Sequence, residues 1–451
     1  MRRPTLFLCA LLALTLTAPA AARKDRQPRY TPVVLANGLR VFVIEDHRTP
    51  TLALVTWYRV GSKDEVKGRT GFAHLFEHMM FKGSAHTDDG VIDVLFEEAG
   101  GWTNAFTSSD ETVYLDLADS SFLEPALWLE ADRLAGLTDT LDQAKLDNQR
   151  EVVRNERRQS YENRPYGMAD LLIQEALWPE GHGYHWPTIG YHEDLVAATT
   201  DDVKAFFRNY YIPNSATLVV AGDVDTAHTL KLVTRFLGWI PRAPEPVRPS
   251  YAEPPPITQA IVLQTEDDVQ VPRVYFTWRG PKVFSADEPA LELAAGVLAD
   301  GKTSRLYERL VYKERLAQEV NAGFTGEALG GTFQIVATAK PGVAPEALAK
   351  VIEEEVARLA MEPASADELA RAQSVREAGF LRGLEDLMER AVQLARYDVL
   401  AGDANFLDRD LARYRRVTPK EVSRAAARWL TPDARVVLTV VPRPVAKQQG
   451  N

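Results

Sequence analysis

The segment GRTGFAHLFEHMMFKGS contains His74, Glu77 and His78 in the pattern H-x-x-E-H. On an α-helix, side chains at positions i and i+4 project from the same face, so the two imidazoles can bind one metal ion together. A catalytic zinc ion takes nitrogen and carboxylate ligands and keeps one position open for water. Glu77 is placed to act as general base on zinc-bound water and then to protonate a leaving amine. The spacing therefore predicts a hydrolytic zinc site, and the alternative is two histidines on a helix surface.

A zinc site of this kind needs a third protein ligand from elsewhere in the chain. The segment LDNQREVVRNERRQSYENRPYG, residues 146–167, has a helical pattern and carries Glu151, Glu156 and Glu162. Any one of these acids could equally belong to a solvated, charged helix face. The residues alone leave the choice among the three glutamates open.

A second motif, GVLADGKT at residues 296–303, matches the phosphate-loop pattern G-x-x-x-x-G-K-[ST]. Such a loop requires a strand before it and a helix after it. The preceding residues, EPALELAAGVLAD, instead have the pattern of an amphipathic helix, with Gly301 as its C-cap. We therefore expect no nucleotide site here.

The segment EGHGYHWPTIGYHEDL, residues 180–195, offers His182, His185 and His192. Loop histidines at such spacings can bind metal, but the segment has no cysteine. We expect these side chains to take part in packing rather than in a second metal site.

The candidate site must be held by a larger framework, and the chain shows an internal duplication. The segments TTDDVKAFFRNYYIPNSATLVVAGD and TPKEVSRAAARWLTPDARVVLTVV both predict a capped helix, a turn and an apolar strand. They align without a gap, which matches Val203 with Val422, Pro213 with Pro432 and Val219 with Leu438.

The duplication and the order of the elements predict the fold class. A helix is expected from near Thr70, its candidate cap, to Gly83, after two strands, and strict β-α alternation is absent. We predict an α+β protein of two duplicated domains, each a mainly antiparallel sheet with helices packed on one face. The domains are expected at residues 28–240 and 258–445, joined by a proline-rich linker at 241–257.

The N-terminus predicts export. Residues 1–22 contain Arg2 and Arg3, a short apolar run and small residues up to Ala22, as in a signal peptide. The one cysteine, Cys9, lies inside it. Cleavage would shift the net charge from −11 to about −13 (50 basic against 63 acidic residues). We expect an acidic protein of the bacterial periplasm, with no transmembrane segment in the mature chain and no nucleic-acid partner.

Several motifs together strongly resemble the pitrilysin-like (inverzincin) metallopeptidases, the family of insulin-degrading enzyme and mitochondrial processing peptidase. The resemblance covers nearly the whole mature chain. The segments that carry it, in this order, are NGLRVFVIED, GRTGFAHLFEHMMFKGS, GGWTNAFTSSDETVYL, REVVRNERRQ and VVAGDVD. It implies a zinc metalloendopeptidase with one Zn²⁺ per chain that cleaves oligopeptides or unfolded segments.

The resemblance also implies roles for residues outside the H-x-x-E-H motif. The third ligand corresponds to Glu156, late in the acidic helical segment, with Glu151 as the alternative. An auxiliary acid of the family corresponds to Gln149, which cannot act as a base. Asn104 and Ala105 correspond to an edge-strand pair that binds substrate backbone by strand addition. A turn residue is the alternative interpretation of Asn104.

One departure from the family pattern concerns the two residues that bind the substrate carbonyl and stabilise the oxyanion formed during attack. Active relatives carry an arginine and a tyrosine seven positions apart in the C-terminal half. In LVYKERLAQEV, residues 310–320, those positions are Val311 and Gln318, while Tyr312 and Arg315 lie out of register. The resemblance therefore implies one half of a clamshell assembly, whose oxyanion pair comes from a homologous partner subunit. A homodimer and a catalytically silent scaffold subunit are the alternatives.

Overall fold

The computed structural model describes residues 29–444, so the predicted signal peptide at residues 1–22 lies outside the described residues. No helix within the described part of the chain is long and apolar enough to cross a membrane. The described residues form two sheets with their helices, one sheet from each half of the chain.

The first sheet has six strands in the order β1-β2-β6-β3-β5-β4. The strands are Val33–Val34 (β1), Arg40–Glu45 (β2), Thr51–Tyr58 (β3), Trp102–Thr107 (β4), Thr112–Asp119 (β5) and Ala216–Gly222 (β6). β2 and β6 are parallel, and the other neighbouring strands are antiparallel. β6, with the apolar sequence ATLVVAG, is buried at every position because it lies inside the sheet. β4 forms one edge.

The helices of this half are Phe72–Met79 (α1), Val91–Glu98 (α2), Leu123–Thr140 (α3), Gln143–Arg157 (α4), Ala169–Leu177 (α5), His192–Ala197 (α6), Thr200–Tyr210 (α7) and Thr226–Leu237 (α8). All of them except α5 contribute side chains to one hydrophobic core on one face of the sheet. A π-helical turn, Arg158–Glu162, continues α4.

The second sheet repeats the first. Its strands are Ile261–Asp267 (β7), Arg273–Gly280 (β8), Ala317–Gly326 (β9), Gly331–Ala339 (β10) and Arg435–Pro442 (β11). Their order, β7-β11-β8-β10-β9, is that of β2-β6-β3-β5-β4, again with one parallel pair. The predicted duplication and the α+β class are confirmed.

The helices of the second half are Glu288–Ala299 (α9), Pro345–Met361 (α10), Ala366–Gly383 (α11), Leu387–Arg396 (α12), Leu407–Arg415 (α13) and Pro419–Trp429 (α14). The gapless alignment that matches Val203 with Val422 also matches the first residue of α7 with that of α14, and the first residue of β6 with that of β11. Both helices start with a threonine whose side chain accepts the N–H of the third helical residue, a complete capping box.

Each half covers the second face of the other half's sheet with one helix. Ala391 and Leu394 of α12 pack on the first sheet, in a cluster with Val55. Ile173 of α5 packs on the second sheet, in a cluster with Leu438. The helices therefore lie on both faces of each sheet. Separating the halves would expose both clusters, so we infer that the two repeats are one mechanical unit.

The proline-rich segment lies against the first half. Residues 241–260 contain no helix or strand. Arg248 donates to the carboxylate of Asp64 at 2.8 Å, and the Tyr251 hydroxyl donates to the carbonyl of Lys63 at 2.6 Å. We propose it as the connection between domains at 28–240 and 258–445.

The turn between β4 and β5 meets the turn between β9 and β10. The carboxylate of Asp110 is buried and accepts the N–H of Ala328 at 2.7 Å and the hydroxyl of Tyr184 at 2.8 Å. The Tyr184 oxygen in turn accepts the N–H of Leu329 at 2.9 Å. The ammonium of Lys63 lies 3.5 Å from the Asp110 carboxylate. These contacts fix the two edge hairpins to each other.

Glu327, in the second of these turns, is expected to make the protein less stable as the pH rises toward neutrality. Burial raises the pKa of Glu327 to about 7, and the carboxylates of Asp110 and Glu111 act in the same direction against Ser109 and Lys63. A glutamate in an unfolded chain has a pKa of about 4.3. Between these values the native state binds more protons than the unfolded state, so the free energy of unfolding falls as the pH rises.

Urea unfolding of the wild type and of Glu327→Gln at pH 4.5 and pH 8 tests this expectation. The variant should lose less stability than the wild type between the two pH values. Glu253→Gln, at a side chain that is 79% exposed, serves as the control and should follow the wild type. Parallel pH profiles for the wild type and Glu327→Gln would contradict the expectation.

Candidate metal centre

Helix α1 carries the H-x-x-E-H residues, and a buried carboxylate fixes its start. Thr70 does not cap the helix as predicted, because its hydroxyl oxygen accepts the N–H of Tyr191 at 3.0 Å while the hydroxyl donates to Asp194 at 2.7 Å. Glu65 instead accepts the N–H groups of Gly71 and Ala73, at 2.9 and 2.7 Å. A carboxylate at this end suits the positive pole of the helix dipole. The helix is also shorter than expected and ends before Gly83.

One face of α1 is buried, and the histidines lie beside it. Leu75, Phe76 and Met79 are at most 1% exposed and belong to the core of the first half. The side chains of His74 and His78 are 13% and 22% exposed. The amphipathic pattern therefore holds the helix in place and leaves both imidazoles on one accessible face.

Helix α4 packs against α1 and brings Glu156 to the histidines. The neighbouring Arg157 donates to the carbonyl of Gly190 at 2.7 Å and to Glu162 at 3.1 Å. Gly190 packs on Gly71, where an added Cβ would lie 2.9 Å from the Gly190 Cα. The end of α4 is thus tied to the start of α1 through one loop.

His74, His78 and Glu156 form a compact cluster. Nε2 of His74 lies 3.7 Å from Oε1 of Glu156, and Nε2 of His78 lies 3.3 Å from Oε2. One ligand atom from each of the three lies within 4.8 Å of the others. Ligand atoms around a tetrahedral zinc ion lie about 3.4 Å apart, given bonds of about 2.0–2.1 Å. No other such group of three occurs within residues 29–444.

The other polar residues considered on α4 and beyond it have different partners. Glu151 pairs with Arg154 at 2.5 Å and is 54% exposed. Glu162 lies 2.8 Å from Nε2 of His192. Gln149 is buried and lies two turns before the cluster on α4. Of the three glutamates left open by the sequence, the structure brings Glu156 to the histidines.

The charge states of the cluster suit metal binding. Burial lowers the pKa of His74 to about 4, and His78 acts in the same direction against the carboxylate of Glu156. The hydrogen bond with His78 lowers the pKa of Glu156. At neutral pH the His74 imidazole is therefore neutral and the Glu156 carboxylate is ionised, the forms in which these groups bind metals.

Glu77 lies on α1, the helix that carries both histidines, and 9% of its surface is exposed. Its Oε2 atom accepts a hydrogen bond from the Thr107 hydroxyl at 2.5 Å. Burial raises the pKa of Glu77, while the Thr107 hydrogen bond and His78 oppose the rise. A carboxylate with a raised pKa is better suited to accept and return a proton near neutral pH.

The donor set fits a catalytic zinc ion. Two imidazole nitrogens and one carboxylate leave a fourth tetrahedral position open. The Nδ1 atom of His74 is buried and makes no hydrogen bond within residues 29–444. A metal ion at Nε2 would leave that Nδ1 atom without a partner, so the case for zinc lies in the Nε2 atoms of both histidines, which face the Glu156 carboxylate. The chemistry of these three side chains therefore agrees with zinc.

The edge strand β4 runs beside the cluster. Asn104 and Ala105 lie in the middle of this strand, so the turn interpretation of Asn104 is wrong. The Asn104 side chain accepts the N–H of Ala105 at 2.9 Å. Within the described residues β4 pairs only with β5, which leaves its outer edge free for another strand. Thr107, on the same strand, was missed by the sequence analysis.

In the described part of the second half, the residues at and near the oxyanion positions make no hydrogen bond to the metal cluster. Val311 lies in a π-helical segment, and Gln318 donates to the carbonyl of Ala339 at 3.0 Å. Tyr312 is 53% exposed. Arg315 has a φ of +57°. Within residues 29–444, neither Tyr312 nor Arg315 forms a hydrogen bond or ion pair with the metal cluster.

The loop histidines take part in packing, as expected. His182 stacks on Trp178 with ring centroids 4.7 Å apart. His185 Nδ1 lies 2.8 Å from the Trp178 carbonyl oxygen. His192 faces Glu162.

The segment GVLADGKT spans the C-terminal end of a helix and does not follow a strand. α9 runs through Ala299, and Gly301 has a φ of +76°. A helix C-terminus is the negative pole of the dipole and is unsuited to phosphate. The helix predicted before Gly301 is confirmed.

Two family models match the chain. "Insulinase (Peptidase family M16)" covers residues 40–182, and "Peptidase M16 inactive domain" covers residues 197–375. The chain is 30% identical over 396 residues to the zinc protease PqqE of Helicobacter pylori, covering 86% of this chain and 88% of that protein. It is 25% identical over 414 residues to the mitochondrial-processing peptidase subunit beta of Blastocladiella emersonii, covering 88% and 83%.

Solved structures share the fold. A protease from Helicobacter pylori superposes with a TM-score of 0.86 and 28% identity, covering 92% of this chain and 100% of that one. A peptidase M16 inactive domain protein from Pseudomonas fluorescens has a TM-score of 0.81 and 21% identity, covering 93% and 99%. The second likeness concerns the fold alone.

Proposed function

Because the chain belongs to the M16 (insulinase) family of zinc metallopeptidases, we propose that it is a zinc-dependent endopeptidase subunit acting on oligopeptides or unfolded segments. The observation that supports this most strongly is the cluster of His74, His78 and Glu156 with Glu77 beside it on α1. These side chains would hold one zinc ion per chain. When bound, zinc would polarise the scissile carbonyl and make water more acidic.

The residues of the chain perform the proton transfers in this proposal. The ionised Glu77 accepts a proton from the attacking water at Oε1 or Oε2. It then delivers that proton to the nitrogen of the leaving amine, so the carboxylate is restored at the end of the reaction. His74 and His78 act only as ligands.

The edge strand supports a role in substrate binding. A peptide that adds to β4 through main-chain hydrogen bonds would lie beside α1, with Asn104 and Ala105 at its centre. Main-chain recognition tolerates many side chains and requires an extended substrate. Oligopeptides and unfolded segments meet this requirement, whereas folded proteins do not.

We further propose that a homologous subunit supplies the arginine and tyrosine that this chain lacks at Val311 and Gln318. The exposed Tyr312 has no contact with the cluster, and Arg315 makes no ion pair within residues 29–444. One relative is itself named as a subunit of a processing peptidase. A homodimer remains the alternative, and so does a silent scaffold subunit, which the match of residues 197–375 to an inactive-domain model favours.

The mature, zinc-loaded chain is expected to cleave a quenched fluorescent peptide slowly or not at all when alone. Adding a homologous chain that carries the Arg/Tyr pair should raise the rate by about 10²-fold or more, the size of effect seen when an oxyanion donor is restored. A chelator should abolish the rate. Full activity of the chain alone would refute the two-chain proposal, and no activity with the partner and zinc would favour the scaffold subunit.

We also propose that the protein is exported to the periplasm. This proposal depends on the signal-like sequence of residues 1–22. Fractionation of cells that express the full chain, with the mature N-terminus determined by mass spectrometry, would test it.

A further inference from the structure

The carboxylate of Glu77 receives one hydrogen bond within residues 29–444, and that bond comes from the edge strand. The donor is the hydroxyl of Thr107, at 2.5 Å from Oε2. We propose that Thr107 is a positioning residue that fixes the orientation of Glu77 and thereby couples the general base to the strand on which the peptide docks. This inference rests on the proposed peptidase function.

The neighbours of Thr107 favour Glu77 as the acceptor of the hydrogen bond that its hydroxyl donates. Thr107 and Thr112 face each other across the end of the hairpin, with their hydroxyl oxygens 3.5 Å apart. The buried hydroxyl of Thr112 donates to the carbonyl of Val60 at 2.9 Å, so toward Thr107 it can only accept. At 3.5 Å it is a much weaker acceptor for the Thr107 proton than Oε2 of Glu77 at 2.5 Å. An ionised carboxylate can only accept, so Thr107 must be the donor in its bond with Glu77. The β-branched side chain also restricts χ1 and holds the hydroxyl in place.

The backbone next to Thr107 is held firmly, so the hydroxyl cannot drift with a mobile turn. The N–H of Ser62 donates to the carbonyl of Ser108 at 3.1 Å, and the N–H of Lys63 donates to that of Ser109 at 2.9 Å. Gly61 permits this approach, because an added Cβ would lie 2.5 Å from the Ser108 oxygen.

The position of Thr107 in the strand gives the coupling a consequence for cleavage. Ala105 and Thr107 are two residues apart in β4, so their side chains share the face toward α1 and lie about 6.7 Å apart along the strand. A peptide bound at Asn104 and Ala105 is thus held at a fixed distance from the carboxylate that Thr107 orients. The scissile bond would be selected by its register on β4.

Thr107→Val removes the hydroxyl and keeps the shape of the side chain, and Thr107→Ser keeps the hydroxyl. We expect Thr107→Val to lower kcat by about tenfold or more, with KM and bound zinc unchanged, because a misplaced base slows the chemical step. Thr107→Ser should restore most of the rate. Thr325→Val, on the edge strand of the other sheet, is the matched control and should keep the wild-type kcat. An unchanged kcat in Thr107→Val would overturn the proposal.

A second measurement does not require catalysis. The thermal unfolding midpoints of Thr107→Val, Glu77→Ala and the double variant form a cycle. If the two side chains interact, the shifts of the single variants should not add in the double variant. If the wild type cleaves no peptide under any condition, the proposed function fails, yet the cycle still decides this inference. Additive shifts would overturn it.

Discussion

Replacing Glu77 by glutamine is expected to lower kcat for peptide hydrolysis by about 10²–10⁴-fold, the usual effect of losing a general acid–base group. An amide of the same size cannot accept and return the proton. Its carbonyl oxygen can still accept the hydrogen bond from Thr107, so the helix should keep its place. Zinc should therefore stay bound while hydrolysis is lost.

The measurement uses the preparation that cleaves the peptide and determines the bound zinc per chain by elemental analysis. Glu98→Gln, an exposed acid on the neighbouring helix α2, is the matched control and should leave kcat unchanged. A Glu77→Gln protein that keeps the wild-type kcat would show that another group moves the proton. Loss of zinc would show that Glu77 contributes to metal binding.

Local patterns predicted much of the fold. Capping residues and apolar periodicity define α7 and α14 from their threonine caps onward, and they revealed the repeat. The exchange of α5 and α12 between the halves was not predicted. An amphipathic helix shows that one face is buried, but its sequence does not say which of two similar sheets covers that face.

The residues of the candidate site likewise divide into those that local spacing predicts and those that it does not. His74 and His78 share a helix turn, so their spacing alone placed them together. Glu156 was identified as the third ligand only through the family resemblance, because the sequence pattern does not distinguish it from the other acids of its segment. Glu65 and Thr107 were missed, since Glu65 lies six residues before Gly71, outside the usual cap position, and Thr107 comes from a strand 30 residues beyond Glu77. Thr70 was wrongly chosen as the cap, because its hydroxyl oxygen accepts the N–H of Tyr191 rather than an N–H of α1.

Glu156→Gln is expected to weaken zinc binding by more than about 100-fold, beyond the roughly 10–100-fold typical of losing an outer-shell partner. The substitution removes the negative charge that faces Nε2 of both His74 and His78 and leaves a neutral amide, a weak zinc ligand. Competition with a chromophoric chelator measures the affinity without any substrate, so the result does not depend on whether a partner subunit is needed.

Glu151→Gln is the matched control, since it removes the same charge from the same helix. Its carboxylate is bound by Arg154 and is more than half exposed, so the variant should keep its zinc affinity within about threefold. Both variants change the net charge equally, so a difference between them cannot come from the net charge of the protein. The opposite result, with Glu151→Gln losing zinc and Glu156→Gln keeping it, would require Glu151 to leave Arg154 and turn toward α1. It would assign the third ligand to the alternative position and refute the cluster as the metal site.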